Sequence, residues 1–78
     1  MGKMINKVIS KGISMHCYNE NGILTGSIAS IDHDITVTIE NIAGMYNIVS
    51  YVSECGAHTQ INCHSWKFKK FETGEEVK

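Results

Sequence analysis

Residues branched at Cβ dominate the apolar part of this chain: eleven Ile, five Val and five Thr stand against one Leu and three Ala in 78 residues. Such side chains lose χ1 freedom in a helix but pack well on a pleated surface, so the chain is expected to be mainly β. Only its start reads differently. Met4, Ile5, Val8 and Ile9 fall at the spacing of one helical face, and Lys3, Lys7 and Lys11 recur every fourth residue on another. A short amphipathic helix over 1–12, ended by Gly12, is expected there.

From Gly12 onward the apolar period is two. Ile13, Met15 and Cys17 alternate with Ser14, His16 and Tyr18 in a first strand. Asn19, Glu20, Asn21 and Gly22 make the next turn, because Asn and Gly both tolerate positive φ. A second strand is expected over 23–31, a third around Ile35, Val37 and Ile39, a fourth over 45–54 and a fifth from Thr59 into the Trp66 region. Gly26, inside the second strand, permits the sharp bending or close backbone approach that a small sheet needs in order to curl. The expected fold is mainly β: one domain over 1–78, with a short N-terminal helix, a five-stranded, strongly bent antiparallel small barrel over 13–71, and a frayed tail over 72–78.

Charge and size narrow the function classes. Seven cations against eight anions leave a formal net charge of −1, and every cation is Lys. Strong non-specific binding to nucleic acid comes from many cationic contacts to phosphate, and Arg, the side chain suited to bidentate phosphate recognition, is missing. No apolar run approaches the roughly eighteen residues that span a bilayer, and no secretory leader pattern opens the sequence. Three Cys is an odd number, so a cytoplasmic protein with free thiols is expected. A single core this small supplies only about 3–5 kcal/mol, which calls for a metal, a disulfide or subunit contacts.

The stretch GILTGSIASIDHDITVTI resembles the first motif of the Sm and Sm-like family, which includes bacterial Hfq, with Gly22, Gly26, Asp32, Ile35, Val37 and Ile39 in the motif positions. VSECGAHTQINC resembles the second motif, with Gly56 as its Gly. The resemblance implies a homo-oligomeric ring of about five to seven copies, closed by pairing the fourth strand of one subunit with the fifth of the next. Ring closure would cover exposed strand edges, and the apolar fourth strand, with Tyr46, Ile48, Val49, Tyr51 and Val52, is suited to it. The resemblance also implies single-stranded RNA binding, as an RNA chaperone or ribonucleoprotein scaffold. Asp32 and Gly56 match the family there. Asp34 takes the position of its base-stacking residue, Thr36 that of its base-reading Asn and Cys55 that of its Arg. His33 and His58 lie beside the same loops and read either as substitute stacking groups or as an exposed turn residue and an exposed strand start.

Other expectations compete. The Lys3, Lys7 and Lys11 stripe reads as a solvated helix face or as a basic rim, and Trp66-Lys67-Phe68-Lys69-Lys70-Phe71 as core strand or as a single-strand platform. Cys55, His58, Cys63 and His64 carry ligand chemistry for zinc, but neighbours on a strand point to opposite faces, which separates Cys63 from His64. No nucleophile elbow, paired carboxylates or phosphate-cradling loop is present, so neither an enzyme nor a cofactor is expected. The alternative to RNA binding is a structural or protein-interaction ring.

Overall fold

The residues expected to open the chain as a helix form a strand. A computed structural model of the protein describes residues 3–53 and 55–77. Met1 and Gly2 of the expected helix, Glu54 of the expected fourth strand and Lys78 of the tail lie outside the described residues. β1 (Met4–Ile9) pairs antiparallel with β4 (Ile35–Ile42), from Met4 opposite Glu40 to Ile9 opposite Ile35. The helical spacing of Met4, Ile5, Val8 and Ile9 covers fewer than two turns, too little to separate a period of 3.6 from one of two. An isolated helix that short is marginal in water, whereas β-branched side chains gain by joining a ladder.

Two antiparallel sheets of four strands make up the fold. One has the order β1-β4-β5-β6, with β5 (Tyr46–Val52) and β6 (His58–Cys63). The other is β3-β2-β7-β8, with β2 (Ile13–Tyr18), β3 (Leu24–Ala29), β7 (Ser65–Lys70) and β8 (Glu76–Val77). The barrel expected from the sequence is therefore corrected to two layers, with no helix and no closed barrel among the described residues. The physical reason lies at His64. There the chain leaves the first sheet, the His64 N–H bonds the Tyr18 carbonyl at 2.7 Å, and β7 runs on antiparallel to β2. What reads as one fifth strand is two strands in different layers. No helix among the described residues is long and apolar enough to cross a membrane.

The layers bury Ile9, Met15, Cys17, Ile28, Val37, Ile39, Val49 and Cys63 between them, with Trp66 and Phe68 packed against that core. Met15 stands between Ile28 and Phe68 in its sheet, and Val49 between Ile39 and Ile61 in the other. Each large apolar side chain so buried stabilises the fold by about 1.5–3 kcal/mol.

The two sides of the sandwich differ. On one, the edge strands β3 and β6 meet: Thr25 Oγ1 donates to the Asn62 carbonyl at 2.7 Å, and Gly26 lies against Ile61. On the other, β1 ends one sheet and the two-residue β8 ends the other. Ile5 shares the core-facing side of β4 with Ile39 yet is 46% exposed, so this side is open.

Candidate functional site

Strand direction places the β3–β4 and β5–β6 turns at the same end of the sandwich. In the first, the buried Ser30 donates its Oγ hydrogen to the His33 carbonyl. His33 Nδ1 lies 2.7 Å from Asp32 Oδ1, and this hydrogen bond holds the Asp32 carboxyl below its usual range. Asp34 Oδ1 accepts the Lys11 N–H at 2.9 Å, tying this turn to the β1–β2 turn. Both carboxylates thus serve local loop geometry. In the second turn Gly56 has φ +86°, and the Ser53 hydroxyl accepts the Ala57 N–H at 3.1 Å and lies 3.1 Å from Cys55 Sγ.

The two turns frame adjoining grooves. One, of about 410 Å³, is lined by His33, Ile35, Tyr51, Val52 and Cys55 among others. The second, of about 340 Å³ on the outer face of the first sheet, includes Thr36, Ser50, His58 and Gln60, and shares Tyr51 and Val52 with the first. Of the residues singled out in the sequence, His33 and Cys55 are brought together in one groove and Thr36 and His58 in the other. Asp32, Asp34 and Gly56 shape the turns and line neither groove.

The zinc candidates are not brought together. Cys55 and His58 sit at the start of β6, whereas Cys63 and His64 lie at its far end, with Cys63 buried and His64 exposed. No group of three or more His, Cys, Asp or Glu able to hold a metal ion occurs among the described residues. Trp66 and Phe68 turn inward against the core, and Lys67 and Lys69 alternate with them along β7. The Lys3, Lys7 and Lys11 stripe does not form, because β1 replaces the helix that would carry it.

At the opposite end lies a groove of about 500 Å³ that the sequence reading missed. It is lined by Asn19 and Glu20 from the β2–β3 turn, Met45 and Tyr46 from the β4–β5 turn, and Asn62 and His64 where the chain changes sheets. Asn19 shapes its wall by accepting the Asn21 and Ile23 N–H groups on Oδ1 at 2.9 and 3.0 Å. The Asn-rich turn was visible in the sequence, but its meeting with His64 depends on the crossover.

The free edge of β1 also carries binding chemistry. The Lys3 carbonyl accepts the Asn41 N–H at 2.8 Å, so Lys3 and Asn41 are a hydrogen-bonded pair. Antiparallel alternation then aims the backbone groups of Ile5 and Lys7 at β4, and those of Met4, Asn6 and Val8 away from the sheet. The side chains of Met4 and Val8 are 64% and 58% exposed, which makes this edge apolar as well as unpaired. No protein-family model, no curated protein and no solved structure matches this chain.

Proposed function

We propose that this domain is a non-enzymatic assembly module that pairs with a second copy of itself along β1. The observation that supports it is the free edge, whose outward N–H and C=O groups lie in a strand with exposed apolar side chains. Proteins usually blunt such edges with Pro, bulges or inward charges. The chain has no Pro and the β1–β4 register runs without a shift, so the one such device in the strand is Lys7, its single charge, on the inward face. Assembly through β5 finds no free edge, because β4 and β6 already pair with it inside the chain.

Symmetry selects the register. Antiparallel pairing of two copies about a two-fold axis puts core-facing residues opposite core-facing ones. Centring on Asn6 sets Asn6 opposite its own copy and Met4 opposite Val8, so that all three outward residues gain backbone partners. Centring on Lys7 would set two ammonium groups face to face and leave Met4 unpaired. The Asn6 register joins two four-stranded sheets into one continuous sheet and adds the subunit contact that so small a core calls for.

Sedimentation across a concentration series tests the proposal. A dimer is expected for the native chain and a monomer for Asn6→Lys, which places like charges across the axis; circular dichroism should show the variant still folded. A native chain that is monomeric at high micromolar concentration overturns this reading.

A second reading, single-stranded RNA binding, is supported by one observation: His33 and Cys55, and Thr36 and His58, line adjoining grooves that share Tyr51. Titration with oligo-U and oligo-A across a salt series tests it. Saturable binding weakened by His33→Ala and His58→Ala supports it, and no detectable affinity at low salt removes it.

A further inference from the structure

Cys17 belongs to β2 in one sheet and Cys63 closes β6 in the other, so the pair spans the two layers. Both belong to the buried core cluster between the layers, 0% and 1% exposed, and each thiol is near enough to influence the ionisation of the other. Their approach follows from the packing around them. Gly26 stands opposite Cys17 in the second sheet, and Ile61, two residues before Cys63, packs against the bare Cα of Gly26. The Thr25–Asn62 hydrogen bond fixes the same junction. Cys63 Sγ lies 3.0 Å from the Ser65 carbonyl, so the sulfur is held where the chain turns toward the other layer.

We propose that Cys17 and Cys63 form a redox-responsive crosslink, closing into an inter-sheet disulfide when the chain folds in the presence of a low-molecular-weight disulfide. One cysteine, as thiolate, attacks a sulfur of the small disulfide, forming a mixed disulfide and expelling one small thiolate. The second protein thiolate attacks the protein sulfur of that mixed disulfide and expels the other. Two protein thiols become one disulfide, the small disulfide is reduced to two thiols, and these take up the two protons.

Burial controls when this happens. It pushes the Cys17 thiol up to about 12 and raises the Cys63 thiol as well, so in the closed sandwich neither is an effective nucleophile near neutral pH. Exchange therefore proceeds while the layers are apart, during folding or transient opening. A finished bond is shielded from reductant by the same burial. Exposed Cys55 sits at the far end of β6 and is not positioned to join the pair. The crosslink would meet the stability problem of a short chain independently of β1 pairing.

The test is refolding of the full chain in a buffer of oxidised and reduced glutathione, then blocking with N-ethylmaleimide and mapping peptides without reduction. The expected product contains a Cys17–Cys63 linked peptide, and its thermal midpoint lies about 10 °C or more above that of the reduced chain. Cys55→Ser should keep both results, and Cys63→Ala should lose both. If Cys63→Ala does not fold, the peptide map of the native sequence decides alone. Cys17 and Cys63 both blocked after equilibration, a link from Cys55 to either, or a crosslink that leaves the midpoint unchanged overturns the proposal.

Discussion

Gly26 of β3 lies so close to Ile61 of β6 that a Cβ on Gly26 would sit 3.1 Å from Ile61 Cγ2 and 3.2 Å from Cδ1. A side chain at Gly26 would make Ile61 give way by a few tenths of an ångström, at the contact that joins the two layers on their closed side. Gly26→Ala should cost about 1–3 kcal/mol through overpacking, outweighing the roughly 0.5–1 kcal/mol that replacing a strand glycine ordinarily returns. Urea denaturation measures this, and Ile61→Val should reduce the cost by removing Cδ1. A Gly26→Ala variant as stable as the parent would show that the layers part without penalty.

The β4–β5 turn carries a residue that its backbone does not suit. Ala43 has φ +53° and Gly44 φ +72°, and the Met45 N–H returns to the Ile42 carbonyl at 2.9 Å. Two successive positive φ values define the turn that favours Asn-Gly. Ala43→Asn should therefore stabilise the protein by about 0.5–1 kcal/mol, because an alanine in the left-handed region pays roughly 1–2 kcal/mol that asparagine largely avoids. A higher urea midpoint with an unchanged m value is the expected result, and a lower midpoint would contradict this turn geometry.

The strands from β2 to β5 were legible in the sequence, whereas the first element and the two-sheet architecture were not. Alternation identified β2 and β4, and Asn19 and Gly22 marked the β2–β3 turn, in which Gly22 takes a positive φ and Asn19 accepts backbone N–H groups. At 4–9 the apolar set fitted two periods, and only the partner strand decided between them. At His64 a signal was present but unread: Ile61 and Cys63 face inward at odd positions, Trp66 and Phe68 at even ones. That change of parity within an apparently continuous strand marks the crossover that replaces a barrel with two sheets. Lys7 broke the pattern differently, occupying a core-facing position that the open side of the sandwich leaves wet. His33, Thr36, Cys55 and His58 were singled out through the family resemblance alone, and they line adjoining grooves because turns two strands apart share an end; the groove at His64 was not foreseen, because the crossover builds it.

Position across the layers sets how much a side chain matters. Met15 is fully buried between Ile28 and Phe68, whereas Lys67, on the neighbouring strand of the same sheet, is exposed. Met15→Ala should lose about 2–5 kcal/mol, comparable to the whole stability of a domain this size, and leave the chain largely unfolded at 25 °C. Lys67→Ala should change stability by less than about 0.5 kcal/mol. Far-ultraviolet circular dichroism with thermal melts separates the two outcomes. A folded Met15→Ala variant with a sharp melt would mean that Met15 is not part of the central packing.

The Asp32–His33 pair makes a prediction about pH. The hydrogen bond from His33 holds the Asp32 carboxyl below its ordinary value of 3.8, the imidazole charge adding to the effect. A carboxyl whose folded value is depressed contributes stability that is fully present above its unfolded value and is lost as the pH falls through the folded one. The window here therefore opens below 3.8, and the exposed setting keeps the energetic effect small. Carbon-detected NMR titration should show the Asp32 carboxyl ionising below 3.8, with a return toward 3.8 in His33→Ala. An Asp32 that titrates at the ordinary value in the native chain would mean that the pair does not persist in solution, and that Ser30 and Asp34 hold the β3–β4 turn without it.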